Sequence, residues 1–167
     1  MTAVLTGPVK KLGLKCDWTV FDQIVLDPDL IATVPRDQWF YTGMDTYIHS
    51  VEAITGTKKN TFAEAYSEKA LDMCREVFLK LDRSDPKSDE LLMVASYMGG
   101  LSLTYSEVGV CHALSYGLGK VLEIHHCIAN CIAFDKLEDV YGDYVQEFKG
   151  MVKHLNVHIP QGLAKDW

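Results

Sequence analysis

The stretch that decides the fold is RDQWFYTGMDTYIHSVEAIT, residues 36–55. Its large apolar side chains recur at steps of three and four residues, the spacing that places them on one face of an α-helix. The pattern predicts an amphipathic helix that starts at Arg36 and stops near Gly56. The apolar positions are Trp39, Phe40, Met44, Ile48, Val51 and Ile54.

The first 36 residues lack this helical period. They contain the short apolar segments VLTG, TVFDQIVLD and LIATVP, which are separated by Gly7-Pro8, Asp27-Pro28 and Pro35. Glycine and proline at such intervals favour short extended pieces over helices. We therefore expect residues 1–36 to form an extended lead-in segment and residues 37–167 to form a helical domain.

A second helix is predicted to start at Thr61, whose hydroxyl would form a capping box with Glu64, and to end before Asp85-Pro86. A third helix starts at Ser88 and contains LLMVASYMGGLSLTYS, which is apolar on nearly every face and too short to span a membrane. This composition predicts a central buried helix.

Further helices are predicted over residues 110–122, 127–140 and 144–155. Together with the earlier segments they give an all-α fold. We expect a bundle of five to seven helices with a short extended N-terminal strap.

Composition is that of an ordinary globular domain, with 48% hydrophobic and 23% charged residues among 167. A net charge of -7 argues against sequence-independent nucleic-acid binding, which needs clustered lysine and arginine. The N-terminus lacks the pattern of a secretory signal, and five irregularly spaced cysteines indicate thiols. We therefore expect a cytoplasmic protein that has neither nucleic acid nor a membrane as partner.

Asp45 and His49 lie four residues apart on the first predicted helix, so their side chains project from one face, about 6 Å apart at Cβ. A divalent metal could bridge them, although such pairs are more commonly hydrogen-bonded at a surface. The apolar residues on either side indicate partial burial, and buried polar groups need partners.

Three of the six histidines fall between residues 112 and 126. His112 lies in one predicted apolar helix, and His125 and His126 lie at the start of the next. Several histidines with a carboxylate, all in uncharged surroundings, are typical of a divalent-metal site.

The cysteines Cys111, Cys127 and Cys131 open a thiolate-zinc alternative. No C-x-x-C spacing is present, and the three residues coincide with helical core positions. A core role is the favoured interpretation.

These segments resemble the iron-containing alcohol dehydrogenases. That family carries a D-x-x-x-H pair on one helix and then an H-A-x-x-H-x-L-G segment that ends in P-H-G-x-A-N; here the matching stretches are MDTYIHSVEA, HALSYGLG and IHHCIAN. The separation of 14 residues between His112 and His126 matches the family's two later ligands. The resemblance implies a dehydroquinate synthase-like helical domain in which Asp45, His49, His112 and His126 bind a divalent metal, Fe2+ in first place and Zn2+ in second.

Within the family, the stretches TGPVKKLGLKCDWTVFDQIVLDPDL, RDQWFYTGMD and YGLGKVL resemble the 3-deoxy-D-manno-octulosonate 8-oxidase branch, which implies a sugar-acid substrate. Three positions depart from the family pattern. Tyr116 stands where much of the family has a second histidine near the nicotinamide, His125 stands for the usual proline, and Cys127 stands for the usual glycine. The resemblance makes His126 a candidate catalytic residue, with Tyr116 and His125 as candidates for the proton relay.

The resemblance implies hydride transfer between an alcohol and NAD(P) in a homodimer. The family's nucleotide-binding G-G-G-S turn does not occur in the 167 residues. We therefore expect a fragment that is inactive by itself. The alternative is a non-catalytic helical module that binds a structural metal or none and acts by association through its apolar faces.

Overall fold

The computed structural model describes residues 3–7, 11–14 and 16–163. In this part of the chain an antiparallel hairpin precedes seven α-helices, which confirms the predicted all-α class and the predicted number of helices. The hairpin pairs Ala3 with Leu14 and Thr6 with Lys11. The elements are β1 (Ala3–Thr6), β2 (Lys11–Leu14), α1 (Arg36–Thr55), α2 (Thr61–Leu79), α3 (Pro86–Tyr105), α4 (Val110–Val121), α5 (His126–Phe134), α6 (Glu138–Tyr141) and α7 (Asp143–His154).

The segment between the hairpin and α1 is irregular and contains two 3-10 turns, Asp17–Thr19 and Pro28–Ile31. The predicted extended conformation is correct for VLTG, most of which lies in β1, but wrong for the start of LIATVP, which lies in the second turn. The Asp27 side chain accepts a hydrogen bond from the backbone N–H of Asp29, and Pro28 has its φ fixed near helical values. These two local effects favour a turn over an extended strand.

The cap of α2 differs from its prediction. Asn60, and not Thr61, is the N-cap residue, and its side-chain oxygen accepts hydrogen bonds of 3.1 Å from the backbone N–H groups of Phe62 and Ala63. The predicted capping box between Thr61 and Glu64 is therefore wrong. The reason is that an asparagine one residue earlier already satisfies the first free N–H groups of the helix.

The single helix predicted over residues 127–140 is also wrong, because the structure has α5 and α6 in its place. Between them the backbone N–H of Lys136 bonds to the carbonyl of Ala133, and that of Leu137 bonds to Phe134. Such bonds to the third preceding residue tighten the last turn and end the helix.

Helix α1 is the central element of the bundle and packs against α2, α3, α4 and α5. The prediction that the third helix is central is wrong, since α3 buries one face only. None of the helices in the described ranges is both long and apolar enough to cross a membrane. Side chains of α1 that are completely buried include Phe40, Met44, Tyr47, Ile48 and Val51.

The close approach of α1 to its neighbours depends on Gly43. Replacing Gly43 with alanine is expected to lower the free energy of unfolding by about 1 to 3 kcal/mol, because overpacking of a dense core is destabilising. The added methyl group would lie 2.5 Å from Cζ of Phe78 and 2.9 Å from Cδ1 of Leu92.

The matched control is Gly100→Ala on the exposed side of α3, where no atom lies within 4 Å of the new methyl group. There alanine should stabilise the helix by up to about 1 kcal/mol relative to glycine. Urea denaturation followed by far-ultraviolet circular dichroism measures both variants. A Gly43→Ala protein as stable as the wild type would contradict the tight packing of α1.

Candidate metal centre

One carboxylate and three imidazoles converge from three helices. Asp45 and His49 lie on α1, His112 lies on α4, and His126 is the first residue of α5. The Oδ1 atom of Asp45 is 3.3 Å from Nε2 of His112, 3.7 Å from Nε2 of His126 and 3.9 Å from Nε2 of His49. Donor atoms about 2.1 Å from a tetrahedral ion lie about 3.4 Å from one another. The spacing around Asp45 therefore fits a single divalent ion.

The imidazole rings pack against each other at this point. His49 and His112 stack with ring centroids 4.3 Å apart, and the His112 and His126 centroids are 5.5 Å apart. Asp45, His49 and His112 each offer a donor atom within 4.8 Å of the other two. His126, on α5, lies close to this group, since its Nε2 atom is 3.7 Å from Oδ1 of Asp45.

The four side chains of the cluster differ in their exposure to solvent. The His112 side chain is completely buried, whereas those of Asp45, His49 and His126 are 19%, 22% and 29% exposed. An ion held by these four groups would have its protein-covered side at His112. The exposed side leaves room for an oxygen from water or substrate, as catalytic metal sites require.

Glu52 lies behind His112 and was not among the residues predicted from the sequence. It is almost fully buried, with its Oε2 atom 2.6 Å from Nδ1 of His112. Its Oε1 atom accepts hydrogen bonds from the Cys111 backbone N–H at 2.7 Å and from the Tyr141 hydroxyl at 2.8 Å. A proton held on Nδ1 by this carboxylate leaves the Nε2 lone pair of neutral His112 for an ion.

A sequence signal for Glu52 exists. It follows His49 by three residues, so it shares the helical face of that histidine. A carboxylate in the middle of an otherwise apolar pattern is expensive to bury, and it therefore indicates a specific partner.

The electrostatics of the cluster suit cation binding. Burial works to raise the pKa of Asp45, but His49 and His112 together outweigh it and hold that pKa well below its usual range. Burial lowers the pKa of His49 to about 4, although Asp45 opposes the shift. At neutral pH the site thus offers an anionic carboxylate and a neutral His49 imidazole.

His112 behaves differently. Burial disfavours its charged form, but hydrogen bonds to Asp45 and Glu52 raise its pKa to about 9. The pKa of Glu52 is lowered to about 2 because the His112 contact and other hydrogen bonds outweigh the effect of burial. Without a cation, a protonated His112 lies between two carboxylates, and a metal ion would replace its Nε2 proton.

Asn130 is the second residue at the site that sequence reasoning missed. It is completely buried, and its Nδ2 atom donates to Oδ1 of Asp45 and lies 3.2 Å from Nε2 of both His112 and His126. Its position four residues after His126 on α5 was the available signal, because residues at that spacing share a helical face.

The structure places the two relay candidates differently. The Tyr116 ring stacks on His126 with centroids 5.4 Å apart and lies edge-on to His112 at 6.1 Å. His125 is exposed at the N-cap position of α5, and no contact found among the described residues joins it to the four clustered side chains. Tyr116 therefore belongs to the cluster, and His125 lies at its edge.

The cysteines of the thiolate alternative belong to the hydrophobic core. Cys111, Cys127 and Cys131 are buried, and burial raises the pKa of the Cys111 and Cys131 thiols. A protonated thiol is a poor metal ligand. Within the described residues, the three-residue group with metal-binding geometry contains no cysteine.

Comparison with known proteins identifies the family to which this chain belongs. Residues 39–163 match the sequence profile described as "Fe-containing alcohol dehydrogenase family, C-terminal". The chain therefore belongs to the iron-containing alcohol dehydrogenase family and contains its C-terminal domain. This match confirms the resemblance found in the sequence.

Two curated relatives illustrate the similarity. The NADPH-dependent butanol dehydrogenase of Clostridium saccharobutylicum is 30% identical over 111 residues, which cover 66% of this chain and 29% of that protein. A 1-propanol dehydrogenase of Citrobacter freundii is 33% identical over 116 residues, which cover 66% of this chain and 30% of that protein. The matched region thus spans less than a third of these relatives.

Among solved structures, the iron-containing alcohol dehydrogenase from Thermococcus thioreducens superposes with a TM-score of 0.78 and 21% identity. The superposition covers 98% of this chain and 48% of the other. The likeness shows the helical fold, and the chain spans about half the length of that protein.

Replacing Glu52 with glutamine tests how His112 is oriented. The amide would present N–H donors to Nδ1 of His112, so the ring proton would move to Nε2 and block the donor atom. We expect the affinity for Zn2+ to fall about 10- to 100-fold, measured by competition with a chromophoric chelator.

Tyr141→Phe is the matched control, because it removes one hydrogen bond to Glu52 and keeps the carboxylate. It should leave Zn2+ affinity within a few-fold of wild type. Equal affinity of the Glu52→Gln and wild-type proteins would show that Glu52 does not set the His112 tautomer.

Proposed function

We propose that the chain carries the metal centre of an alcohol dehydrogenase that transfers hydride between an alcohol and NAD(P). Asp45, His49, His112 and His126 are the proposed ligands of one divalent ion. The observation that carries the proposal is that Asp45 Oδ1 lies within 3.9 Å of the Nε2 atoms of all three histidines. Membership of the family supports the same assignment.

Iron is the proposed native metal and zinc the second choice. One carboxylate oxygen and three imidazole nitrogens are donors that both ions accept. The soft thiolate ligands that would favour zinc over iron are absent from the cluster described above. Metal analysis of protein purified from its natural source, without added metal, distinguishes the two, and a zinc-only preparation would contradict the first choice.

A bound divalent ion would supply Lewis-acid chemistry, lowering the pKa of an alcohol and stabilising the alkoxide. The chain's own residues prepare the site for this. Asp45 offsets part of the ion's charge, and Glu52 keeps His112 in one tautomer and orientation. The exposed side of the cluster admits the alcohol, and the covered side at His112 excludes water.

Tyr116 is the proposed contact between the cluster and the substrate. Its ring borders the open side through its stacking on His126. Burial and the carboxylates of Asp45 and Glu52 raise the pKa of the Tyr116 hydroxyl, so it stays protonated and can donate a hydrogen bond. His125, exposed at the edge, is the remaining candidate for passing a proton to solvent.

The ligand assignment predicts different results for the adjacent histidines. His126→Ala removes a ligand and should lower metal affinity by more than about 100-fold. This loss exceeds the roughly 10- to 100-fold loss that is typical when a residue hydrogen-bonded to a ligand is removed. His125→Ala is the matched control, since the two histidines are neighbours and His125 has an exposed side chain.

Equilibrium dialysis with elemental analysis measures this effect. The wild type and His125→Ala should each hold about one ion per chain, and His126→Ala should hold far less. Equal occupancy of the two variants would refute His126 as a ligand.

A sugar acid is the proposed substrate, on the support of residues 6–30, 36–45 and 116–122, which resemble the sugar-acid branch of the family. The protein that contains this chain should oxidise 3-deoxy-D-manno-octulosonate with a kcat/KM at least about tenfold above that for 1-propanol, because polar groups built to bind hydroxyls discriminate against substrates that lack them. NAD(P)H absorbance measures the rate. A higher kcat/KM for 1-propanol would overturn this substrate and leave the dehydrogenase proposal intact.

A homodimer is the proposed assembly. The segment before α1 exposes several large apolar side chains, with Trp18 95% and Val25 76% exposed, and burial of such side chains against a second copy would favour association. Sedimentation equilibrium of the 18.7 kDa chain should give twice that mass. A monomer at micromolar concentration would contradict the proposal.

The proposed location is the cytoplasm. The five cysteines are free thiols, and free thiols persist where glutathione and thioredoxin keep them reduced. Recovery of the protein in a periplasmic or extracellular fraction would contradict this location.

A further inference from the structure

We propose that Asn130 is a positioning residue of the metal centre, whose side-chain amide links ligands from α1, α4 and α5 and fixes the coordinating oxygen of Asp45. This inference rests on the proposed function, because it takes Asp45, His112 and His126 as metal ligands. Asn130 would contact the ligands without itself binding the ion.

The Asn130 amide nitrogen lies among three of the proposed ligands. A single atom, Nδ2 of Asn130, donates to Oδ1 of Asp45 and lies 3.2 Å from Nε2 of His112 and 3.2 Å from Nε2 of His126. A side-chain amide nitrogen carries two hydrogens. One is donated to Asp45, and in the metal-free site the other can be donated to Nε2 of His126. With an ion bound, the Nε2 lone pairs are taken by the metal, and the hydrogen bond to Asp45 remains.

The amide oxygen of Asn130 is in a different situation from the nitrogen. Oδ1 of Asn130 is buried and has no hydrogen-bond partner among the described residues. Burying an unsatisfied carbonyl is unfavourable, and a leucine of similar volume would avoid that cost. The hydrogen bond that the amide nitrogen donates to Asp45 explains why an asparagine is placed here.

The neutral charge of the Asn130 side chain also suits a cation site. A lysine or arginine at this position would also donate to Asp45, but its positive charge would repel the incoming ion. An aspartate would lie against the Asp45 carboxylate, and two close carboxylates repel each other in the empty site. A neutral donor orders the carboxylate and leaves its charge available to the cation.

The backbone of Asn130 is also held in place. Its carbonyl accepts a hydrogen bond from the Cys111 thiol at 3.4 Å, which joins α5 to α4 beside His112. The backbone position from which the Asn130 side chain extends is therefore fixed. Ligating carboxylates in metal sites are commonly hydrogen-bonded in this way, and loss of such partners typically lowers affinity 10- to 100-fold.

The test uses the intact protein and Zn2+ as probe. Asn130→Ala should lower Zn2+ affinity about 10- to 100-fold in a chelator competition. Cys131→Ala is the matched control, because Cys131 is the next residue of α5 and is equally buried, but belongs to the hydrophobic core. It should destabilise the fold without a comparable change in Zn2+ affinity.

Asn130→Asp gives a second measurement that does not depend on the alanine variant folding. Repulsion from Asp45 should lower the Tm of its metal-free form, and the added negative charge should favour the loaded form. The rise in Tm on adding Zn2+ should therefore be larger than in wild type for Asn130→Asp and smaller for Asn130→Ala. A purely structural role would shift both metal-free proteins and leave the Zn2+-induced rise unchanged.

The absorption spectrum of the Co2+-loaded protein reports ligand geometry directly. It should change in Asn130→Ala and stay as in wild type in Cys131→Ala. Wild-type Zn2+ affinity and an unchanged Zn2+-induced rise in Tm in the Asn130 variants would overturn this inference and leave the proposed function standing. Failure of the wild type to bind Zn2+, Co2+ or Fe2+ would overturn the proposed function and this inference with it.

Discussion

The buried contact between Glu52 and His112 is the interaction on which this fold and its proposed metal centre both depend. It joins the central helix α1 to α4, and neither side chain has appreciable contact with water. Removing two charged groups from water is costly and is tolerated only when hydrogen bonds satisfy both partners. The hydrogen bonds that Glu52 accepts from the Cys111 backbone and Tyr141 meet this requirement and also fix the start of α4. The same contact therefore determines where α4 begins and where the His112 ring points.

The exposure of the four clustered residues is graded around this contact. His112 is innermost, and His126 on α5 is the most exposed of the four. A metal site with one covered side and one open side differs from a closed structural site, in which all four protein ligands surround the ion. His126 is the most exposed because it is the first residue of α5 and follows an irregular turn, whereas most of the rest of α5 is buried.

The helical class and the pairing of Asp45 with His49 could be predicted from the sequence, because both follow from a local period of three to four residues. The grouping of His112 and His126 with that pair required the family resemblance, since no local rule relates α1 to α4 and α5. Glu52 and Asn130 were missed because their roles exist only after the helices have packed. The break between α5 and α6 was missed for a related reason. Phe134 and Leu137 keep a helical spacing of three residues, while the backbone N–H groups of Lys136 and Leu137 bond to the third preceding carbonyl instead of the fourth.

Helix α1 forms the middle of the hydrophobic core and also carries Asp45 and His49. Elements with this degree of burial belong to the last cooperative unit of a protein to open, and their amide hydrogens exchange only through global unfolding. Surface loops, in contrast, release a bound ion by local fraying. Because Asp45 and His49 keep their arrangement as long as α1 stays folded, an ion bound at the cluster would protect the whole domain against unfolding and not a single loop alone.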